Sequence, residues 1–398
     1  MRQFFGLDDG TLHSVYEELG VLDNLQGEIQ GDKWVAKNGN VFSYDPEKQV
    51  IDGKVQIVQT EGAEATIKGF PMTPEQRDLV AAKVASLPMG NLFVLHYTDL
   101  EESDPVLEKI NFAEGTRQIS STYKVHFLTA DGEIAFIYPS NISDSITSGE
   151  LTPETIEDTH GVKQIFSTSS DLAWIDQDGG VWGLGKNEYG QLGPENMDTY
   201  DPVAAEIGVP ADIVEISGSD YQLNFLDDQG RIWISGNDFD ETPEDETENR
   251  TTPTQFHGFV GIKQVVTAGR ITFFLDAKGD VWTFNSFGET EGSLTQPVKL
   301  DQFKDVQKLF VGFEKGAYLD SQGHVWFFEP KDPKPTLLEG FEGIKTIALG
   351  STEEQSYDVI IDSQDRAWLI QPDLKPRLYE GLKKVKQVSS GYATVFIA

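Results

Sequence analysis

The sequence contains no cysteine, which excludes disulfides, thiolate metal sites and a cysteine nucleophile. Histidine is scarce: His13, His96, His126, His160, His257 and His324 are scattered, with no pair at metal-ligand spacing. No stretch approaches the roughly 18 consecutive apolar residues that a membrane-crossing helix needs. The N-terminal residues contain no apolar run of signal-peptide length, so the chain is expected in the cytoplasm, with export by other routes left open. A Gly-x-Ser-x-Gly elbow, a P-loop and a dinucleotide glycine fingerprint are also missing. A protein without catalytic or cofactor residues is expected. Positive charge is short as well, with 31 Lys+Arg against 66 Asp+Glu and a net charge of −35 over 398 residues. Nucleic-acid binding rests on Lys and Arg displacing phosphate counterions, and anionic membrane surfaces recruit the same residues. Neither nucleic acid nor a membrane is an expected partner.

What the chain does contain argues for a folded protein. Hydrophobic residues make up 38% and aromatics 11%, a content that acidic disordered chains lack. A phrase then repeats, with apolar residues, an acidic turn with Gly, an apolar residue and Trp. It runs Ile175-Asp176-Gln177-Asp178-Gly179-Gly180-Val181-Trp182, and again from Leu226 to Trp233, Leu275 to Trp282 and Leu319 to Trp326. A decayed copy spans Ile361 to Trp368, and an earlier one, from Leu128, carries Phe136 near the Trp position. The turn positions 132, 179, 230, 279, 323 and 365 lie 47, 51, 49, 44 and 42 residues apart. Asp176-Gln177-Asp178-Gly179 has the start of a calcium loop but lacks the later ligands, so it reads as a hairpin turn.

Each phrase reads as a β-hairpin with a further strand on either side, a four-stranded unit of about 45 residues. One such sheet leaves both faces bare; stacked radially, the units form a β-propeller with Trp packed between blades. The last copy, Lys384 to Ile397, supplies two strands and then the chain ends. Gly90 to Tyr97 matches the missing half, with Leu92-Phe93 where Val-Trp stands elsewhere. Residues 89–115 are therefore expected to complete the blade begun by residues 382–398. The fold class is all-β, a seven-bladed β-propeller closed by strands from both ends, over residues 89–398.

Residues 1–88 are expected to form a small N-terminal α+β domain. They hold a candidate helix near Leu12–Leu19, β-like runs at Trp34–Ala36, Val41–Tyr44, Val55–Val58 and Ala65–Ile67, and a capped helix from Thr73-Pro74 to Pro88. Degenerate blades are the alternative, because Leu7 to Leu12 and Asn38 to Phe42 resemble the turn phrase. The step from Gly10 to Gly39, 29 residues, is short for a blade and favours the separate domain.

One copy goes further than the phrase. Val181-Trp182-Gly183-Leu184-Gly185-Lys186-Asn187-Glu188-Tyr189-Gly190-Gln191-Leu192-Gly193 resembles the signature of the regulator of chromosome condensation repeats, Trp-x-x-Gly-x-Asn-x-x-Gly-Gln-Leu-Gly. Fragments recur at Ser235-Gly236-Asn237 and Asn285 to Gly288. The stretches from Gly218, Gly269 and Gly312 lack the His that the family carries before its hairpins, so this is a divergent member. The resemblance implies a seven-bladed propeller that binds protein. On the residues themselves, Trp182, Gly185, Asn187, Gly190, Gln191, Leu192 and Gly193 read as structural: glycines for tight turns, Asn187 for loop amides, Leu192 for packing.

The acidic surplus is patterned. After the Trp strand of one blade come Asp238, Asp240, Glu241, Glu244, Asp245, Glu246 and Glu248, with no base among them. The equivalent loop of the sewn blade holds Asp99, Glu101, Glu102 and Asp104. Asp144, Glu150, Glu154, Glu157 and Asp158 follow in the next blade, then Glu188, Glu195 and Asp198. One face of the disc is expected to be negative, either as solvated loop charge or as a docking face for a basic protein partner. The expected function is a non-enzymatic interaction scaffold with no cofactor and no metal. The alternatives are an enzyme inhibitor or guanine-nucleotide-exchange-type regulator, a small-molecule or glycan-binding propeller, and an exported adhesion protein docked through residues 1–88.

Overall fold

The computed structural model describes residues 90–96, 106–138, 153–157, 159, 161–194, 203–236, 250–256, 259–285, 297–312, 314–350, 357–370, 375–391 and 393–398, with the backbone of short strands between 27 and 69. Among these residues there is no helix. Seven four-stranded antiparallel sheets form a β-propeller. Blades 1 to 6 span residues 118–155, 162–206, 213–256, 262–299, 306–337 and 344–378, each sheet in sequence order from first to fourth strand.

Blade 7 is the sewn one. Gln387–Ser390 and Thr394–Ile397 pair with Gly90–His96 and Val106–Thr116 in one sheet. Where other blades have a covalent hairpin turn, Asn91 N–H donates to Ala398 O (2.9 Å) and Ala398 N–H to Asn91 O (3.1 Å). Phe93 lies opposite Phe396, the register at which Trp182 lies opposite Trp174 in blade 2. The expected closure from both ends is the observed one.

The hydrophobic core is divided among the gaps between blades. Among the described residues seven apolar clusters occur, one at each of the seven junctions, blade 7 to blade 1 included. Successive residues of a second strand point to opposite gaps: Phe274 joins the cluster shared with blade 3, while Phe273 and Leu275 join that shared with blade 5. Second strands such as Gln222–Asp227 and Ile271–Asp276 are consequently buried along their whole length. Both faces of the sheet are covered, so these strands read as apolar runs without clean alternation. Trp182, Trp233, Trp282, Trp326 and Trp368 each pack, partly buried, against the cluster shared with the preceding blade. A fully buried Leu or Phe contributes about 1.5–3 kcal/mol, and no single blade buries one without a neighbour.

The repeated acidic turn has one geometry. Asp176 N–H donates to Gly180 O (2.9 Å), and Gly179 N–H, at φ 88°, to Asp176 O (3.2 Å). This is a hairpin whose last loop residue must adopt a left-handed conformation. In the decayed copy of blade 6 that position is Asp365, at φ 62°. Blade 1 keeps this register but carries Ala135, not Phe136, at the Trp position, where it pairs with Phe127. Phe136 sits one residue on and points to the other side of the sheet.

Before the ring, Gly27–Gln30, Lys33–Ala36, Val41–Ser43 and Val58–Glu61 form a four-stranded sheet, and Val50–Ile51 pairs with Lys54–Val55. Lys68–Gly69 pairs in parallel with Phe259–Val260, the strand that leads into blade 4. The helices expected at Leu12–Leu19 and Thr73–Pro88, and the run Ala65–Ile67, lie outside the described residues.

Candidate functional site

Neighbouring first strands run in the same direction. The Gln118 side chain bonds both N and O of Ile165 (2.8 Å each), Ser120 Oγ meets Ser167 Oγ (2.7 Å), and Thr122 Oγ1 donates to Thr168 O (2.7 Å). Gln264 and Gln387 grip Leu309 and Ile119 in the same manner from the equivalent position. All blades therefore share one orientation. Hairpin turns lie on one face of the disc, the turn face; the first-to-second loops and the strand ends that bound the third-to-fourth connections lie on the other, the loop face.

On the loop face, the signature segment closes around a buried carboxylate, Asp171. Asn187 N–H donates to its Oδ1 (2.9 Å), while Gln191 Nε2 (2.6 Å) and Ser170 Oγ (3.0 Å) donate to its Oδ2. Burial pushes this carboxyl above the usual range; the three donors work against that shift, and the charge of Asp220 adds to it. Asn187, fully buried at φ 51°, donates from Nδ2 to Gly193 O and accepts at Oδ1 from Leu192 N–H (2.8 Å each). Gly190 and Gly193 both adopt positive φ and carry the turns of this segment. Leu192 packs in the core between blades 2 and 3, and Gln191 Nε2 also reaches Asp220 O of blade 3 (3.1 Å).

Asp220 Oδ1 in turn accepts from Ser169 N–H (2.7 Å) and Ser170 N–H (3.2 Å). The first-to-second loops of blades 1, 2 and 3 are thus tied into one rim. Aromatic rings line it: Tyr123 and Tyr138 meet edge-on at 6.5 Å, and Tyr189 lies 5.2 Å from Tyr221. Lys124 Nζ sits 4.2 Å from the Phe136 ring centre and 5.0 Å from that of Tyr138, and the Arg270 guanidinium sits 4.7 Å from Tyr221. Sequence reasoning passed over Asp171, Asp220 and this rim, because nothing in the spacing of the residues announces which loops meet.

The turn face carries a different device, five times repeated. The turn Asp, at position 176, 227, 276, 320 or 362, accepts at Oδ2 from the Trp indole six residues on, at 2.8–3.1 Å. Its Oδ1 accepts two backbone N–H groups of the turn, as Asp227 does from Gln229 (2.9 Å) and Arg231 (2.8 Å). Blade 1 has neither partner: Thr129 replaces the Asp and Ala135 the Trp. That paired loss, with the constant Asp-to-Trp spacing, was a legible signal. Partial burial raises the Asp320 carboxyl, yet donors from Trp326, His324 and Gln322 outweigh it and hold the group below the usual range. Asp362 behaves likewise, through Trp368, Arg366 and Gln364.

The candidate acidic residues Asp99, Glu101, Glu102, Asp104, Asp238, Asp240, Glu241, Glu244, Asp245, Glu246 and Glu248 lie outside the described residues. The strands that flank them are described, and those strands end on the loop face. The connections between the third and fourth strands of blades 7, 1, 2, 3 and 4, residues 97–105, 138–153, 186–204, 237–249 and 286–297, hold 19 acidic residues and one Lys, Lys186. Among the described residues no group of three or more His, Cys, Asp or Glu is placed to hold a metal ion, and no helix is long and apolar enough to cross a membrane.

A closed ring of seven four-stranded blades, sewn by strands from both ends of the chain, defines a seven-bladed β-propeller, the fold that the resemblance at Trp182–Gly193 implied. No family model and no curated protein matches the sequence. Solved structures do match. Human WBSCR16 aligns at 15% identity and TM-score 0.60, over 77% of this chain and 99% of its own. Prp20p from Saccharomyces cerevisiae, reported with its binding properties to Gsp1p and histones, aligns at 14% and 0.62, over 84% and 95%. The structure of Kap60 bound to yeast RCC1 (Prp20) gives 14% and 0.62, over 88% and 96%. At these identities the likeness is one of fold.

Proposed function

We propose that this chain is a non-enzymatic protein-interaction scaffold that docks a basic protein partner on the loop face of its propeller, in the cytoplasm. The observation that carries the reading is the excess of 19 acidic residues over a single Lys, Lys186, in the five third-to-fourth connections of adjacent blades. Such a concentration of one sign raises the rate of encounter with a basic surface and disfavours acidic competitors. Charge meant for solubility alone has no reason to collect at one repeat position. Prp20p, a propeller of this fold, is reported with its binding properties to Gsp1p and histones, and yeast RCC1 (Prp20) with Kap60 bound, which supports a protein partner here.

Binding of an identified partner, followed by surface plasmon resonance from about 50 to about 500 mM NaCl, tests the reading. Association is expected to slow by tenfold or more across that range, and replacing the seven acids of 237–249 by Asn and Gln is expected to slow it comparably at low salt. Salt-insensitive binding sinks the electrostatic reading.

A further inference from the structure

Resting on that proposed function, we infer that the loop-face rim of blades 1 to 3, its first-to-second loops with Tyr138 and Tyr189 beside them, forms the anchoring core of the docking face, where tyrosine rings take arginine or lysine side chains of the partner. Tyr123 is 52% exposed and, among the described residues, the one aromatic side chain classed as exposed. Tyr138, Tyr189 and Tyr221 accompany it in part-buried positions along the same arc. Their rings are already in use as cation platforms, for Lys124 at 5.0 Å and Arg270 at 4.7 Å. A ring that holds a cation of its own chain has the setting that holds one from a partner.

The arc is ordered before any partner arrives. Thr122 is tied to Thr168, Ser169 and Ser170 to Asp220, and Gln191 to Asp220. Rigid aromatic anchors on fixed loops lose little freedom on binding, which is why Tyr and Trp dominate interface hot spots. The charge around the arc selects its occupant. By chain position the acidic connections belong to blades 7, 1, 2, 3 and 4, and the tyrosines of the rim to blades 1 to 3. In blade 5 the third-to-fourth connection is a tight turn, with Glu329 paired to Asp332. A second copy of this chain, at −35, is repelled by the acidic connections.

Fluorescence anisotropy of the full chain with fluorescein-labelled deca-arginine, and with deca-glutamate as control, tests the inference between about 20 and about 300 mM NaCl. Deca-arginine is expected to bind in a salt-dependent manner and deca-glutamate not at all. Replacing Tyr123 and Tyr221 together by Ala is expected to weaken deca-arginine binding about tenfold with the melting temperature unchanged, and replacing both by Phe to retain it. If the alanine pair binds like the parent, the rim is not the anchor, while the acidic-face reading stands. A phenylalanine pair as weak as the alanine pair overturns the cation-platform role. Absence of deca-arginine binding at low salt overturns the basic-partner reading and the rim with it.

Discussion

Asp227 shows how a repeat can be conserved in chemistry without carrying function. Fully buried, it accepts from two turn amides, the Trp233 indole (3.1 Å) and Arg231 Nε (2.6 Å). Replacing it by Ala strands four donors, and the expected cost is about 2–4 kcal/mol in urea unfolding. Asp131→Ala, at the exposed turn position of blade 1, is expected to stay within about 0.5 kcal/mol. His126 gives the pH dependence. Burial, with Lys124 nearby, lowers it to about 3, and its Nδ1 is buried without a hydrogen-bond partner. The unfolded chain takes up this proton below about 6.5 while the folded chain does not, so the associated stability is present above 6.5 and lost as pH falls towards 3. Between pH 7 and pH 4.5 that amounts to roughly 2–3 kcal/mol. His126→Gln is expected to narrow the gap in melting temperature between those two pH values. Asp171, with its raised pKa, works in the opposite sense: its contribution is present below the ordinary Asp value and lost as pH rises through its folded value.

Among the elements, the sewn blade is the most exposed to damage. Its strand pairing replaces a covalent turn, and Gly90 sits where the two chain segments meet. A Cβ at Gly90 would lie 2.6 Å from Ile397 Cγ2 and 2.7 Å from Ala398 O. Gly90→Val is expected to push the two segments apart and destabilise the ring by more than about 2 kcal/mol, with loss of cooperativity in thermal unfolding by circular dichroism. This closure was legible in the sequence, because the half phrase at Gly90–Tyr97 stands in step with the other copies. The Trp position of blade 1 was legible in the same way: Leu128 to Ala135 is as long as Ile175 to Trp182, so counting from the turn places Ala135, not the adjacent Phe136, opposite Phe127.

For the whole molecule, the seven inter-blade cores are built, among the described residues, by side chains from Leu92 to Ala398. We propose on this basis that residues 89–398 fold alone as a compact monomer. Far-UV circular dichroism and gel filtration of that fragment are expected to show β-structure, one unfolding transition and the size of a single ring. Among the described residues, the fragment forfeits the parallel pairing of Lys68–Gly69 with Phe259–Val260, a loss of two residue pairs. A fragment that aggregates or fails to unfold cooperatively would place residues 1–88 inside the folding unit.

The sequence by itself determined the repeat, the hairpin turns, the number of blades and the closure from both ends, because each of these is written in local turn chemistry at a period of about 45 residues. It also set 19 of the 66 acidic residues in five connections at one position of the repeat, others standing in the hairpin turns. Which loops touch was decided by tertiary structure. Asp171, Gln191 and Asp220 come from separate stretches of chain, as do Tyr189 and Tyr221, and only the common orientation of neighbouring blades brings them to one rim. A side chain's place along its own strand follows from a period of two; its neighbour on the next blade follows from closing the ring.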